Sequence, residues 1–478
     1  MDFLSKILAA KREEVAETKR RCPLEGLVAR LERRNAARGF CRALSKPGVR
    51  VIAEIKRASP SKGDLRLDLD PAALAHMYES GGAACLSVLT EPAFFKGSIA
   101  DFSAARDAVS LPVLRKDFIL EPYQVFETAA AGADAMLLIL RCVTESEASE
   151  LLRLALALGL DVLVECYDAA DARRIPVIFA GIPSETLREH VAVGINNRDL
   201  STFQTEVSHA AEVAKGLPDG LTVVALSGIA GRRDVQTLQT LGINRFLVGE
   251  ALVRSVDATA TLREWREPLA PGVKICGIRY PETAVYCVNR GAGALGAVFY
   301  PPSPRYVSPA VARTLFDGIP ESVARVGVFV NQPVDAVLDT ARTARLTTVQ
   351  LHGAESPAAM RAVADAGFRV VKAVKSAGEA ATLPSFVGPL LECSRGTLPG
   401  GNGASWNWAE AKTLAAHRPI AIAGGLTPEN LVNASEASGA VALDVSSGAE
   451  SSPGVKDCVK IASLLACSAG VQTGRFWL

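Results

Sequence analysis

Residues Pro268–Ile278 read Pro-Leu-Ala-Pro-Gly-Val-Lys-Ile-Cys-Gly-Ile and predict a division of the chain into two domains. Before this stretch, the charged residues 263–267 have helix character, and the two prolines and the glycine that follow would end a helix. After the glycine, Val273–Cys276 is a short apolar run typical of a strand. These residues therefore predict both a linker and the first strand of a second domain, with domains at 1–270 and 271–478.

Apolar strand-like runs alternate with helix-like segments on both sides of this stretch. The first half, after helix-like residues 3–34, contains eight such runs, and the second half contains eight more. Eight strands joined by crossovers over about 220 residues match a (β/α)8 barrel. A doubly wound sheet rarely needs eight regular units and ranks second. The predicted fold class is α/β, with two (β/α)8 TIM barrels in tandem. The predicted strands are Val51–Ile55, Cys85–Leu89, Val113–Leu114, Ala135–Ile139, Val162–Val164, Val191–Ile195, Val223–Leu226, Phe246–Val248, Val273–Cys276, Ala294–Val298, Ala324–Phe329, Thr347–Leu351, Val370–Val374, Pro389–Leu391, Ile420–Ile422 and Val441–Val445.

Composition excludes several classes of function. Lys and Arg number 52 against 51 Asp and Glu, which gives a net charge of +1. The chain therefore lacks the excess positive charge typical of proteins that bind nucleic acid or an anionic membrane. The longest apolar run, Ala135–Leu140, is too short to span a bilayer, and the first residues lack a signal-peptide core. The ten cysteines form no Cys-x-x-Cys pair. We expect reduced thiols in a cytoplasmic protein, without a metal site.

Glycines follow the seventh and eighth predicted strands in both halves. In the first half these positions read Ser227-Gly228 and Gly249-Glu250, and in the second half Gly424-Gly425 and Ser446-Ser447-Gly448. Glycine there lets backbone N–H groups close on a phosphate, the usual location of such a site in barrels. Tight turns are the plain alternative for any one pair. The repetition at corresponding strand ends favours phosphate binding in both halves.

Charged residues end several strands of the first half, where barrel enzymes place their chemistry. Alternation puts Glu54 and Lys56 on one face of the first strand. Lys116 ends the third strand, Glu165 the fifth and Asn196 the sixth. Any one of these alone would be read as a surface ion pair. Lysines and glutamates converging on one barrel mouth can instead tune each other's pKa and divide acid and base work.

The motifs of residues 1–267 resemble the indole-3-glycerol phosphate synthase family. They are Glu54-Ile-Lys-Arg-Ala-Ser-Pro-Ser-Lys-Gly, Leu86-Ser-Val-Leu-Thr-Glu, Leu114-Arg-Lys-Asp-Phe, Gly194-Ile-Asn-Asn-Arg-Asp-Leu and Phe246-Leu-Val-Gly-Glu. The resemblance implies ring closure, decarboxylation and dehydration of carboxyphenylamino-deoxyribulose phosphate. It implies that Lys116 is the general acid, that Glu54, Lys56 and Glu165 serve the other proton transfers, and that Asn196 orients the substrate. The implied substrate-binding residues are Ser59, Phe95, Phe118, Arg198, Ser227, Gly228, Gly249 and Glu250, with the two phenylalanines against the anthranilate ring.

Two features depart from that family. Leu226 stands where a glutamate is usual, which removes a charge expected near Lys56. Residues 173–190 contain Pro176, Gly181 and Pro183, where the family has one continuous helix and turn.

The motifs of residues 272–466 resemble the phosphoribosylanthranilate isomerase family. They are Val298-Phe-Tyr-Pro-Pro-Ser-Pro-Arg, Gly327-Val-Phe-Val-Asn, Val349-Gln-Leu-His-Gly, Ala423-Gly-Gly-Leu-Thr-Pro-Glu-Asn and Asp444-Val-Ser-Ser-Gly-Ala-Glu. The resemblance implies an Amadori rearrangement in which Cys276 removes a sugar proton. A cysteine at a barrel mouth acts as a base where neighbouring charge lowers its pKa, although a lone cysteine in an apolar strand is more often core. The implied substrate-binding residues are Arg305 for the anthranilate carboxylate, with His352, Gly424, Gly425, Asp444, Ser446 and Ser447.

The position of the second half's general acid departs from its family. Glu392 stands where an aspartate is usual, and Asn407 replaces a second aspartate. A displacement of about 1 Å can lower a rate on the order of a hundredfold. We still expect Glu392 to be the acid.

The sequence thus predicts a bifunctional enzyme of tryptophan biosynthesis that acts on phosphorylated small molecules and needs no cofactor or metal. We expect a cytoplasmic monomer with two packed barrels and no nucleic-acid or membrane partner. One alternative is that only the synthase half is active and the isomerase half has become a binding or structural barrel. Another is a metabolite-binding regulator, which would not require Glu54, Lys56, Lys116 and Glu165 to lie together.

Overall fold

The structure is a computed structural model that describes residues 3–32, 35–60, 62–197, 209–392, 406–468 and 476–478. It contains two closed barrels of eight parallel strands each, in which every strand pairs with its neighbours in the chain and the eighth pairs with the first. The prediction of two TIM barrels is confirmed. Contacts divide the chain into Met1–Arg266 and Glu267–Leu478.

The sixteen barrel strands are numbered one to eight in each barrel. Those of the first barrel are Arg50–Ile55, Cys85–Leu89, Val113–Lys116, Ala135–Ile139, Asp161–Cys166, Val191–Asn196, Thr222–Leu226 and Arg245–Val248. Those of the second barrel are Ala270–Cys276, Ala292–Val298, Ala324–Phe329, Thr348–Leu351, Arg369–Val374, Val387–Leu391, Ala421–Ala423 and Ala442–Val445. Each predicted strand overlaps an observed one, and the differences are of a few residues at the ends.

Helices separate the strands and cover the outside of each barrel. The α-helices of the first unit are Phe3–Arg21, Leu24–Leu31, Phe40–Ser45, Pro71–Gly81, Ile99–Ala108, Pro122–Ala130, Glu145–Ala157, Ala169–Ile178, Ser184–His190, His209–Ala214, Arg232–Thr240, Glu250–Val253 and Ala258–Trp265. Those of the second unit are Pro281–Asn289, Pro309–Leu315, Val334–Thr343, Pro357–Asp365, Ala377–Thr382, Lys412–Ala415, Leu431–Ser438 and Cys458–Ser468. Short 3-10 helices are Leu140–Cys142, Trp408–Ala411 and Ser447–Ala449. Two small hairpins pair Ala58–Ser59 with Gly63–Asp64 and Glu450–Ser452 with Val455–Lys456.

The helix termini follow from local sequence. The side chain of Asp70 accepts hydrogen bonds from the backbone of Ala72 and Ala73, and Pro71 occupies the first helical position. The same helix ends at Gly82, whose φ of 82° is a left-handed conformation that glycine adopts without strain. In the region that departs from the family, Pro176 lies inside helix Ala169–Ile178 and a second helix begins at Ser184.

The junction between the barrels differs from the prediction in one detail. Strand one of the second barrel begins at Ala270, three residues before the predicted start. Ala270 pairs with Ala292, and Lys274 pairs with Ala294, so the register shifts between them. Pro271 lies in the shifted section, where its missing N–H costs no ladder hydrogen bond.

The lower end of the first barrel is closed by the helix that precedes strand one. Phe40, Cys41 and Leu44 belong to the same apolar cluster as inward-facing strand residues. The backbone N–H of Cys41 donates to Asp161, 2.8 Å away, and the Arg245 side chain donates to the carbonyl of Leu44 at 3.0 Å. Because Asp161 and Arg245 begin strands five and eight, this helix seals the amino ends and leaves the carboxyl ends for the site.

Candidate active sites

A carboxylate between two ammonium groups forms the centre of the first barrel mouth. Glu54 is 2% exposed, and its Oε1 and Oε2 atoms each lie 2.7 Å from an ammonium nitrogen, that of Lys56 and that of Lys116 respectively. Burial alone would raise the pKa of Glu54, but Lys116 and Lys56 outweigh it and lower the pKa to about 2. Glu54 therefore stays ionised at neutral pH and holds the two lysines in place.

The glycine directly after strand eight, Gly249, makes room for this group. A Cβ at Gly249 would lie 2.3 Å from Oε1 of Glu54 and 3.0 Å from Cε of Lys56. The φ of Gly249 is −120°, which any residue can adopt. Gly249 is therefore required by the close approach of these side chains.

Glu165 and Asn196 meet on the opposite side of the mouth. The Asn196 amide donates to Oε1 of Glu165 at 2.9 Å, and Glu165 is 3% exposed. Tyr167 lies close to this pair. Burial, and next the nearby Glu165 carboxylate, raise the pKa of its phenol well above the usual value. Sequence reasoning missed Tyr167. Its spacing of two residues from Glu165 placed both on one face of the chain and was the available signal.

The two phenylalanines assigned to the anthranilate ring lie near each other. The ring centroids of Phe95 and Phe118 are 6.3 Å apart and the rings are tilted by 44°. Glu91 fixes the loop before Phe95 by accepting hydrogen bonds from the backbone N–H groups of residues 93, 94 and 95. Asp117, next to Phe118, binds the buried ammonium of Lys11 at 2.7 Å. Helix Phe3–Arg21 is thereby joined to the strand end that carries Lys116.

The predicted phosphate end is built from turns with left-handed backbone. Ser227 has φ 64° and Gly228 has φ 76°, a succession that can direct neighbouring N–H groups to one side. Ser59 is buried in the small hairpin, and Glu250 begins a short helix with Lys62 3.9 Å from its carboxylate. Arg198 lies outside the described residues. Leu226 is 1% exposed and faces Gly194, where a Cβ would lie 2.7 Å from the leucine.

One pocket in the second barrel is lined by all nine residues predicted for the isomerase site. Its lining includes Cys276, Arg305, His352, Glu392, Gly424, Gly425, Asp444, Ser446 and Ser447. Gln350 and Ser303 also line it and were not assigned to the site from sequence. Gln350 is two residues before His352 in a strand, a spacing that could have indicated it.

Burial has the largest effect on the pKa of the Cys276 thiol. Burial raises the pKa of the Cys276 thiol, and Asp444 adds to this effect, while Lys274 and Lys456 oppose it. Cys276 is 6% exposed. The neighbouring positive charge that the sequence argument requires is present in Lys274 and Lys456, but burial outweighs it, so the pKa of the thiol is raised on balance.

A chain of polar contacts runs from Lys274 through Gln350 and His352 to Glu392. The Lys274 ammonium donates to Oε1 of Gln350 at 2.7 Å, so the amide nitrogen of Gln350 faces Nδ1 of His352, 3.1 Å away. Nδ1 then accepts a hydrogen bond, and the imidazole proton resides on Nε2. That nitrogen lies 3.0 Å from Oε2 of Glu392. The longer acid is thus held by a histidine of defined tautomer.

Lys274 also forms a buried ion pair with Asp444. The Lys274 nitrogen is 2.8 Å from Oδ2 of Asp444, and Lys274 is fully buried. Oδ1 of Asp444 is buried and has no hydrogen-bond partner among the described residues.

Glu450 holds Arg305 at the other side of the pocket. The Nε and Nη2 atoms of Arg305 each donate to Glu450 at 2.8 Å, and Lys456 binds the same carboxylate at 2.8 Å. Burial would raise the pKa of Glu450, but Arg305 and Lys456 lower it. This bidentate pair uses two of the five guanidinium N–H groups and leaves those on Nη1, with the second one on Nη2, to meet a substrate carboxylate.

The predicted phosphate end of the second barrel has left-handed backbone after strand seven. Gly424 and Gly425 have φ of 93° and 67°, which favour glycine. Asn430 ties the following turn by accepting from the Thr427 backbone and donating to the Gly425 carbonyl, both at 2.8 Å. Asn407 precedes the 3-10 helix Trp408–Ala411, and the structure assigns no side-chain hydrogen bond to it as a cap.

Within the described ranges, no group of three or more His, Cys, Asp or Glu side chains could hold a metal ion. No described helix is long and apolar enough to cross a membrane.

Known families and proteins match both barrels. The indole-3-glycerol phosphate synthase family matches residues 4–265, and the N-(5'-phosphoribosyl)anthranilate isomerase family matches residues 273–466. The chain is 45% identical to indole-3-glycerol phosphate synthase of Desulfosudis oleivorans, over 55% of this chain and 98% of that protein. It is 35% identical to tryptophan biosynthesis protein TrpCF of Yersinia pestis, over 89% of this chain and 86% of that protein.

Two further matches involve a longer protein and a solved structure. The chain is 32% identical to the multifunctional tryptophan biosynthesis protein of Schizosaccharomyces pombe, which it matches over 97% of its own length and 66% of that protein's. The crystal structure of phosphoribosyl anthranilate isomerase from Thermotoga maritima covers 42% of this chain and 98% of its own, with 37% identity and a TM-score of 0.39. From the family and TrpCF matches, the chain belongs to the indole-3-glycerol phosphate synthase family in its first barrel and to the phosphoribosylanthranilate isomerase family in its second, the tandem arrangement of bifunctional tryptophan biosynthesis proteins.

Proposed function

We propose that the residues assembled at the two barrel mouths carry out the reactions of the two families, with residues 1–270 as the synthase and 271–478 as the isomerase. The chain is a bifunctional enzyme of tryptophan biosynthesis. The second barrel isomerises phosphoribosylanthranilate, and the first closes the indole ring on the product with loss of carbon dioxide and water.

For the synthase, the observation that carries the proposal is the placement of Lys56 and Lys116 on the two oxygens of Glu54, 2.7 Å from each. Lys116 donates a proton to the substrate carbonyl oxygen as the aromatic carbon attacks the carbonyl carbon. Loss of carbon dioxide then restores the aromatic ring. Lys56 protonates the resulting hydroxyl, which leaves as water, while Glu165 removes a proton from the neighbouring carbon.

The low pKa of Glu54 defines its part in this scheme. A carboxyl group with a pKa of about 2 is a poor proton donor at neutral pH. Glu54 therefore binds one lysine on each carboxylate oxygen and keeps the two apart, and its share in the proton transfers is indirect. Asn196 orients Glu165 through the hydrogen bond at 2.9 Å.

For the isomerase, the carrying observation is that Cys276, Glu392 and Arg305 line one pocket. Glu392 protonates the furanose ring oxygen as its bond to C1 breaks. Cys276 removes the C2 proton as the thiolate, the form that Lys274 and Lys456 favour against the effect of burial, and the enolamine that forms tautomerises to the ketone. Arg305 holds the anthranilate carboxylate, and backbone N–H groups near Gly425, Ser446 and Ser447 hold the phosphate.

Separate assays with each substrate test the bifunctional proposal. We expect wild-type protein to convert phosphoribosylanthranilate and, independently, carboxyphenylamino-deoxyribulose phosphate. Turnover of the second substrate alone would identify the isomerase half as a binding or structural barrel. Binding of both substrates without turnover would identify a metabolite-binding regulator. The monomeric state and the cytoplasmic location stay predictions, the first of which sedimentation equilibrium measures directly.

A further inference from the structure

Phe476 and Trp477 lie at the lower end of the second barrel, outside the residues that match the isomerase family. Trp477 is fully buried, its Nε1–H donates to the Gly272 carbonyl at 2.8 Å, and its own carbonyl accepts from the Thr348 hydroxyl at 2.5 Å. Gly272 lies near the start of strand one, and Thr348 begins strand four. The indole therefore enters the barrel from the end opposite the pocket.

The barrel interior is shaped to receive this ring. Five of the strand residues in the cluster around Trp477 are alanines, at positions 294, 324, 421, 423 and 442. Barrel interiors are ordinarily filled by bulky branched side chains. Phe476 packs edge-on against Trp477 with centroids 5.1 Å apart, and a Cβ at Gly388 would lie 2.8 Å from the Phe476 ring. Small strand residues thus leave a volume that the two aromatic side chains fill.

Above the indole lies the ammonium of Lys274, 5.2 Å from the ring centroid. This buried nitrogen donates to Asp444 and Gln350, and its charge lowers the pKa of the neighbouring Cys276 thiol, against the larger effect of burial. Burial would lower the pKa of Lys274, but Asp444 and Cys276 outweigh it and raise the pKa. The ring face of Trp477 therefore meets a charged group that is cut off from water, where a cation–π contact is strongest.

We propose that Trp477 is a positioning residue of the isomerase, which holds the Lys274 ammonium against Cys276, Asp444 and Gln350 through its ring face. The inference rests on the proposed function of Cys276, because Lys274, two residues earlier on the same strand, is a cation that favours the thiolate which removes the substrate proton. Without the ring, the Lys274 ammonium would lose the aromatic surface that fixes its position along the barrel axis. The thiolate would then be less stabilised, whereas Arg305 and the phosphate loops would bind substrate as before.

Two substitutions of Trp477 distinguish a contact between its ring face and Lys274 from simple space filling. Both W477F and W477L remove the indole N–H that binds Gly272, but only W477F keeps a π surface under Lys274. We expect W477L to lower isomerase kcat about tenfold with little change in KM, and W477F to stay within about threefold of wild type. Synthase activity of the same preparations checks the first barrel, and circular dichroism with thermal denaturation checks that the second barrel is folded. We expect synthase activity to be unchanged and the second barrel to be folded in both variants.

Equal isomerase kcat in W477F and W477L would overturn the inference, since Trp477 would then be only a space-filling plug. A parallel rise of KM in both variants would overturn it as well, because a distorted pocket would explain the loss. Cys276→Ala serves as the separate check on the proposed function. If that variant keeps isomerase turnover, the assignment of the base fails, whereas an inactive Cys276→Ala with equal Trp477 variants overturns the inference alone.

Discussion

The imidazole Nε2 of His352 lies 3.0 Å from Oε2 of Glu392, at the point where the second family usually has an aspartate. Both side chains are largely buried, and Gln350 fixes the histidine from its other nitrogen. The extra methylene of Glu392 is therefore accommodated by a partner that determines where its carboxyl group lies.

This contact predicts a particular order of activities at position 392. Glu392→Gln keeps the shape but cannot donate an acidic proton, and we expect isomerase kcat to fall at least about a hundredfold. Glu392→Asp keeps the acid but withdraws it by about 1 Å from His352, and we expect an intermediate loss of about tenfold. Steady-state assays of both variants check this order. An amide variant as active as wild type would exclude Glu392 as the acid.

Cys276 gives a second prediction for the isomerase. Cys276→Ala removes the proposed base, and we expect isomerase kcat to fall about a thousandfold while synthase kcat is unchanged. Cys287→Ala is the matched control, since Cys287 is a fully buried cysteine of the same barrel that faces its core cluster. We expect Cys287→Ala to keep both activities. Turnover retained by Cys276→Ala would transfer the base role to another residue.

Gly249 predicts how tightly the synthase centre is packed. Gly249→Ala places a methyl group 2.3 Å from Glu54, which must move and take Lys56 with it. We expect synthase kcat to fall about a hundredfold and isomerase kcat to stay the same. Gly231→Ala is the control, because a Cβ there meets no atom within 4 Å. Wild-type synthase kcat in Gly249→Ala would show that the Glu54 position is not critical.

The low pKa of Glu54 predicts a pH-dependent contribution to stability. The pKa is about 2 in the folded chain against an ordinary value of 4.5, so the contribution is complete above pH 4.5 and is lost as pH falls toward 2. Its size is about 3 kcal/mol. We expect Glu54→Gln to destabilise the chain to urea at pH 7 and to approach wild type at pH 3.

Glu17 provides the control for that titration. It is an exposed carboxylate paired with Arg20 and Arg21 on helix Phe3–Arg21, and exposed pairs contribute little. We expect Glu17→Gln to follow the wild-type urea midpoints at both pH values. A constant difference between Glu54→Gln and wild type from pH 7 to pH 3 would contradict the linkage.

The sequence by itself determined the repeated barrel architecture and many candidate groups at the strand ends. Strand periodicity and side-chain alternation are local properties, so all sixteen strands and the pairing of Glu54 with Lys56 on one face could be predicted. The positions of Glu165, Cys276 and Glu392 at strand ends followed in the same way. Leu226 and Glu392 could be recognised as departures, but what surrounds them could not.

Only the tertiary structure decided which groups contact each other and how their charges balance. Glu54 contacts Lys116, which is 62 residues away in the sequence, and Lys274 contacts Asp444, which is 170 residues away. The pKa of Cys276 is raised because burial, which depends on the whole barrel, outweighs Lys274 and Lys456. Trp477 contacts Lys274 although the two residues are about 200 positions apart, and no periodic pattern in the sequence indicates this contact. Such distant contacts depend on how the barrel closes, which local sequence patterns do not encode.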